Sequence, residues 1–167
     1  YGACTSIGSD NTSAIAAGGD NGSNNTFEWN GTSWTALPNM NVTRELGAGV
    51  GTVSSSIVYG GAPNVVNAET WNGSSWTETG DLNIGRRLLG GAGGSVNTAL
   101  AIAGDNSADS DTELFNGSTW SELADLSNSM GGGTAAAGSS SLAAMAVQNA
   151  NTEEFTAGAD NLNVDLA

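Results

Sequence analysis

Histidine and lysine are absent from this 167-residue chain, and Arg44, Arg86 and Arg87 are its whole supply of basic side chains. Without them there is no Ser-His-Asp triad, no Cys-His pair, no His-bound metal and no lysine Schiff base. Seventeen acidic residues against three basic ones give a net charge of −14. That balance argues against nucleic acid, whose binding needs Lys and Arg to displace counterions, and equally against anionic membrane surfaces. The single cysteine, Cys4, excludes an intrachain disulfide and reads as a small buried residue. The longest apolar run, LAAMAV at 142–147, is far too short to span a bilayer, and no basic then apolar leader opens this segment. Two prolines, and glycine without a three-residue period, exclude collagen.

What is abundant is glycine, 25 residues of it, and what is ordered is repetition. Trp34, Trp76 and Trp120 stand 42 and 44 residues apart. A first aromatic precedes them at Trp29, Trp71 and Phe115, and again at Phe155 without a second. Glycines closing an apolar stretch fall at Gly18, Gly60 and Gly104, in the same register. One domain over 1–167 is expected, with units of about 1–45, 46–87, 88–129 and a divergent 130–167 that reads as a cap.

Each unit is expected to hold four short strands. The first is Gly-rich, as in LGAGVG (46–51) and LGGAGG (89–94), and the second is apolar, as in SIVYGG (56–61) and ALAIAG (99–104). An Asx-rich turn leads to the third, NTFEW, NAETW, DTELF or NTEEF. Then comes Asn-Gly, a hairpin signal because both residues tolerate positive φ, and a fourth strand such as SWTAL or TWSEL. Four-stranded antiparallel units of this length joined by linkers imply an all-β fold of β-propeller type, with small residues on crowded inner strands and tryptophan further out. A solenoid of stacked β-units is the structural alternative.

The apolar strand ending in Gly-Gly, the TE before an aromatic and the second tryptophan resemble the kelch repeat. The likeness covers nearly the whole chain, with a shorter period than usual for kelch. More closely, TExWNGxSWT…DLNxxR resembles short kelch-like arrays in structural proteins of tailed bacteriophages, especially phages of marine bacteria. That resemblance implies a kelch-like β-propeller or partial propeller in a virion, as a fibre, tail or capsid-decorating component. Its implied partners are other virion structural proteins, further copies of itself in a homo-oligomer, and a host-surface glycan or protein. A bacterial extracellular adhesin or filament subunit is the rival reading, and an intracellular kelch scaffold a third.

No cofactor and no catalysis are expected. Paired carboxylates remain: Glu28, Glu69 and Glu113, or adjacent Glu153 and Glu154. Their recurrence at equivalent repeat positions points to a structural task on the third strand, such as accepting backbone N–H bonds. A weak calcium candidate lies at Asp105, Asp109, Asp111 and Glu113, against the simpler reading of a solvated acidic loop. Asn30, Asn72 and Asn116 begin Asn-x-Ser/Thr triplets, better explained by turn geometry than by sugar. The three arginines sit in linkers, where each is expected to pair with a carboxylate of a neighbouring unit. Ligand contact is assigned to the variable loops 20–25, 62–67 and 105–111.

Overall fold

The computed structural model describes residues 4–105 and 110–130, and the strands at 135–139, 143–148 and 151–155. Among the described residues there is no helix. The first sheet holds β1 (Thr5–Asp10), β2 (Ser13–Ala17), β3 (Thr26–Trp29) and β4 (Trp34–Leu37). The second holds β5 (Ala48–Thr52), β6 (Ser55–Tyr59), β7 (Ala68–Trp71) and β8 (Trp76–Glu78). The third holds β9 (Gly90–Ser95), β10 (Thr98–Ile102), β11 (Thr112–Phe115) and β12 (Trp120–Glu122). The fourth has three described strands, β13 (Ala135–Ser139), β14 (Ala143–Gln148) and β15 (Asn151–Phe155). Every sheet is antiparallel with its strands in chain order.

The sheets adjoin through their first strands, β1 against β5, β5 against β9 and β9 against β13. This is a propeller-like arrangement. No comparable contact joins β1 to β13, so the sheets do not close into a ring.

The glycines of the first strands answer this crowding. A Cβ on Gly49 would lie 2.9 Å from side-chain atoms of Ile7 and Thr5 in the sheet before. On Gly91 it would lie 2.7 Å from the Tyr59 hydroxyl. A larger residue would push adjacent sheets apart.

Between sheets the core is apolar. Ile7, Ile15 and Met40 of the first unit pack with Val58, Trp71 and Trp76 of the second. Val50, Ile57 and Tyr59 pack with Leu89, Phe115 and Trp120 of the third. The Tyr59 hydroxyl crosses this junction to donate to the Leu100 carbonyl at 2.7 Å, and burial holds the phenol pKa well above its ordinary value.

At the end of the second strand in each of the first three sheets the backbone takes two positive φ values in succession. They fall at Gly18 and Gly19 (76° and 134°) and at Gly60 and Gly61 (65° and 119°). In the third unit they fall at Ala103 and Gly104 (51° and 126°), so Gly104 is the second member of its pair. The corner is wedged between two linkers: a Cβ on Gly60 would meet the Arg86 carbonyl oxygen, and one on Gly61 the Glu45 carbonyl oxygen, each at 2.8 Å. At Gly60 and Gly61 glycine suits both the conformation and the space, whereas the third unit carries Ala103 at the first of the two places.

Candidate functional site

The repeated aromatics form direct cross-strand pairs, Trp29 with Trp34, Trp71 with Trp76 and Phe115 with Trp120. Their ring centroids lie 5.5, 5.3 and 5.1 Å apart, within the range of favourable tilted aromatic contacts. The turn between them differs from the sequence expectation. Gly31, Gly73 and Gly117 have positive φ, and the preceding asparagines do not. Each asparagine instead caps the turn: Asn72 Oδ1 accepts from the backbone N–H groups of Ser74 and Ser75, both at 2.9 Å. Asn30 and Asn116 do the same in their turns. The triplets therefore have a structural use that needs no sugar.

Two buried ion pairs recur at equal places in the array. Arg44, in the linker leaving the first sheet, donates from Nη2 to Glu69 Oε1 at 3.0 Å, both side chains fully buried. Its Nη1 donates to the carbonyls of Gly60 and Asn67 at 2.9 and 2.8 Å. The other face of the same carboxylate accepts from the backbone N–H and the side-chain amide of Asn41, and Oε1 also accepts from the N–H of Val42. The next junction repeats this with Arg86, Asn83 and Glu113, the Arg86–Glu113 contact being 2.9 Å. Burial lowers both guanidinium pKa values, and the facing glutamate opposes the shift. These two linkers thus hook onto the third strand of the sheet that follows each.

Arg87 makes a third pair, with Asp105 at 2.8 Å, but both partners are 43% exposed. Arg87 ends the second unit and Asp105 lies in the third, so this pair also joins neighbouring units. The described arginines all have carboxylate partners, as their placement in linkers suggested.

Glu28 does not belong with Glu69 and Glu113. It stands one residue before Trp29, whereas they stand two before their aromatic. Because strand side chains alternate between faces, one residue puts Glu28 on the opposite face. Phe27 holds the position that Glu69 and Glu113 hold elsewhere. At the third junction the arginine is also missing, since Met130 falls where Arg86 does, 44 residues on. Met130 is buried among Leu100, Ile102 and Ala92. The asparagines Asn41 and Asn83 escaped the sequence reading as ligands of the carboxylates, although DLNxxR contained the signal.

The acidic candidates are not brought together as a cation site. Asp105 faces Arg87, Glu113 is enclosed with Arg86 and Asn83, and Asp111 offers its carbonyl to Arg86. Asp109 and the side chains of Glu153 and Glu154 lie outside the described residues. Among the described residues no cluster of three metal-ligating side chains occurs.

Cys4 is exposed, against the expectation of burial. With Ala16, Gly18, Phe27 and Trp34 it lines a cavity of about 410 Å³ on the first sheet. Trp34 is 53% exposed, while Trp76 and Trp120 are each 6% exposed. No helix of the described residues is long and apolar enough to cross a membrane. No protein-family model matches the chain, and no curated protein is significantly similar to it in sequence.

Proposed function

We propose that the chain is a kelch-like β-propeller, or part of one, that serves as a non-enzymatic structural component of a tailed-phage virion. It acts by assembly with other virion proteins and by attachment to a host-surface glycan or protein. The resemblance of TExWNGxSWT to phage arrays supplies the virion half of this reading. The observation that carries the non-enzymatic half is the condition of Glu69 and Glu113. Each carboxylate is buried and bonded to an arginine, an asparagine side chain and backbone N–H, which suits a fastening rather than proton transfer.

Function then falls to surfaces. The loops 20–25 and 62–67 share little between units while the strands beside them keep their pattern of apolar and aromatic positions, so they are the places where a host ligand is met. The segment 105–111 is assigned the same role by sequence.

Antibody raised against the purified chain, applied as immunogold to density-banded phage particles, tests this reading. Label at one fixed place on tailed particles is expected. Label confined to bacterial cell surfaces would favour the adhesin, and label confined to the cytoplasm the scaffold; either would overturn the proposal.

A further inference from the structure

The exposed side of the first sheet is the counterpart of a face that is covered at both junctions further along. By register, Ala16 corresponds to Val58 and Ala101, and Trp34 to Trp76 and Trp120. Cys4 likewise corresponds to Leu89. In the second and third sheets these residues are buried against the sheet before. In the first sheet their equivalents line the 410 Å³ cavity with Trp34 half in solvent. The cavity therefore has the shape and chemistry of a junction missing its incoming half.

Phe27 narrows what that half is. At the covered junctions a linker arginine meets Glu69 or Glu113. Phe27 stands in that place in the first sheet, and a desolvated guanidinium facing a phenyl ring in place of a carboxylate would be costly to bury. The fitting linker carries an apolar residue where Arg44 and Arg86 sit. The chain contains a motif of that kind: NLNVDL at 161–166 matches NMNVTR at 39–44 with Leu166 aligned to Arg44, although it follows Phe155 by 11 residues where Arg44 follows Trp29 by 15. Since β1 and β13 make no contact within one chain comparable to those at the other junctions, we infer that the first-sheet face of one copy receives the last unit of a second copy.

Copies then join head to tail, through a heterologous contact that generates a ring or a filament. The contact is apolar while each copy carries a charge of −14. Association is therefore opposed by long-range repulsion and strengthened by salt, as the Debye length falls from roughly 14 Å near 0.05 M to about 4 Å near 0.5 M. This inference concerns the array itself and stands apart from its place in a virion.

Sedimentation velocity on the full chain across a concentration series, at those two salt levels, reads the association. The rate of Cys4 reaction with a disulfide reagent reads cover of the face. Mass is expected to rise with concentration and salt, with Cys4 reaction slowing in step. Trp34→Asp is expected to abolish both effects and leave the far-ultraviolet spectrum of the monomer unchanged. Leu166→Arg is expected to weaken association, and Phe27→Glu with Leu166→Arg to restore it. A chain that stays monomeric with a freely reacting Cys4 overturns the inference. So does a monomer whose Cys4 is protected at every concentration, which would mean that the chain's own last unit covers the face. Association that survives Trp34→Asp would place the contact elsewhere and also overturn it.

Discussion

Removing Glu69 tests the junction more sharply than removing any aromatic. Its carboxylate holds four donors: the Asn41 N–H at 2.7 Å, the Asn41 amide at 2.9 Å, and the Val42 N–H and Arg44 Nη2 at 3.0 Å each. Glu69→Ala leaves a guanidinium with no counter-ion in a site of zero exposure. Breaking a buried pair from one side costs about 3–5 kcal/mol. Each buried donor left without a partner adds up to about 1–3 kcal/mol, reduced where water enters the space. A loss of about 4–6 kcal/mol is expected, a large share of the roughly 5–15 kcal/mol that holds a domain together. Arg44→Met should cost less, about 3 kcal/mol, because three N–H donors still stabilise the carboxylate anion. Arg87→Ala, which breaks a pair that is 43% exposed, should cost under about 1 kcal/mol. Urea unfolding followed by tryptophan fluorescence measures all three. If Glu69→Ala fell within about 1 kcal/mol of the parent, or if Arg87→Ala were the most damaging of the three, the junction would not be what holds the units in register.

Further consequences follow from the same contacts. Trp76→Ala should lower stability by about 3–5 kcal/mol, whereas Trp34→Ala should change the dilute monomer by under about 1 kcal/mol; denaturant midpoints of the pair separate the two environments. Gly49→Ala should cost about 1–3 kcal/mol by forcing β5 away from Ile7 and Thr5, seen as a lowered Tm, while equal or higher Tm would deny the close approach. Asn72→Ala should cost about 1 kcal/mol through the two freed turn N–H groups, again by urea unfolding. Tyr59 has a raised pKa in the fold, from burial, so its contribution is complete below the unfolded value near 10 and is lost as pH rises beyond it. In a Tyr1→Phe background, absorbance near 295 nm should therefore rise only together with alkaline unfolding; a rise at pH about 10 in the folded protein would refute the burial argument.

The strands were legible because their signals are local. Ser55–Tyr59 and Thr98–Ile102 start one residue before the apolar stretches read from the chain and end two residues short of the final glycine of each. The Asn-Gly turns fell where expected, although glycine alone takes the positive φ and asparagine serves as the cap. The role of Glu69 and Glu113 as acceptors of backbone N–H was also legible. Grouping Glu28 with them failed because a one-residue offset from the aromatic changes the face, which only the strand register displays. The pairing of Asn41 with Glu69 spans 28 positions, so the recurring linker motif marked the asparagine but nothing local marked its partner.

WNGTSW and WNGSSW differ at one residue, and locally they do the same thing. Both place their rings between 5 and 6 Å apart, and both send the first indole N–H to a backbone carbonyl at 2.9 Å, Asn11 for Trp29 and Val53 for Trp71. The chain determined that much by itself: the repeat, the hairpin and the cross-strand ring contact. Yet Trp76 is 6% exposed and Trp34 is 53% exposed. Burial depends on what lies opposite, and Trp76 faces the first sheet while no described sheet lies against Trp34. The identity of the fastening was written in the sequence, but which copies of it are closed was decided by the order in which the sheets stack.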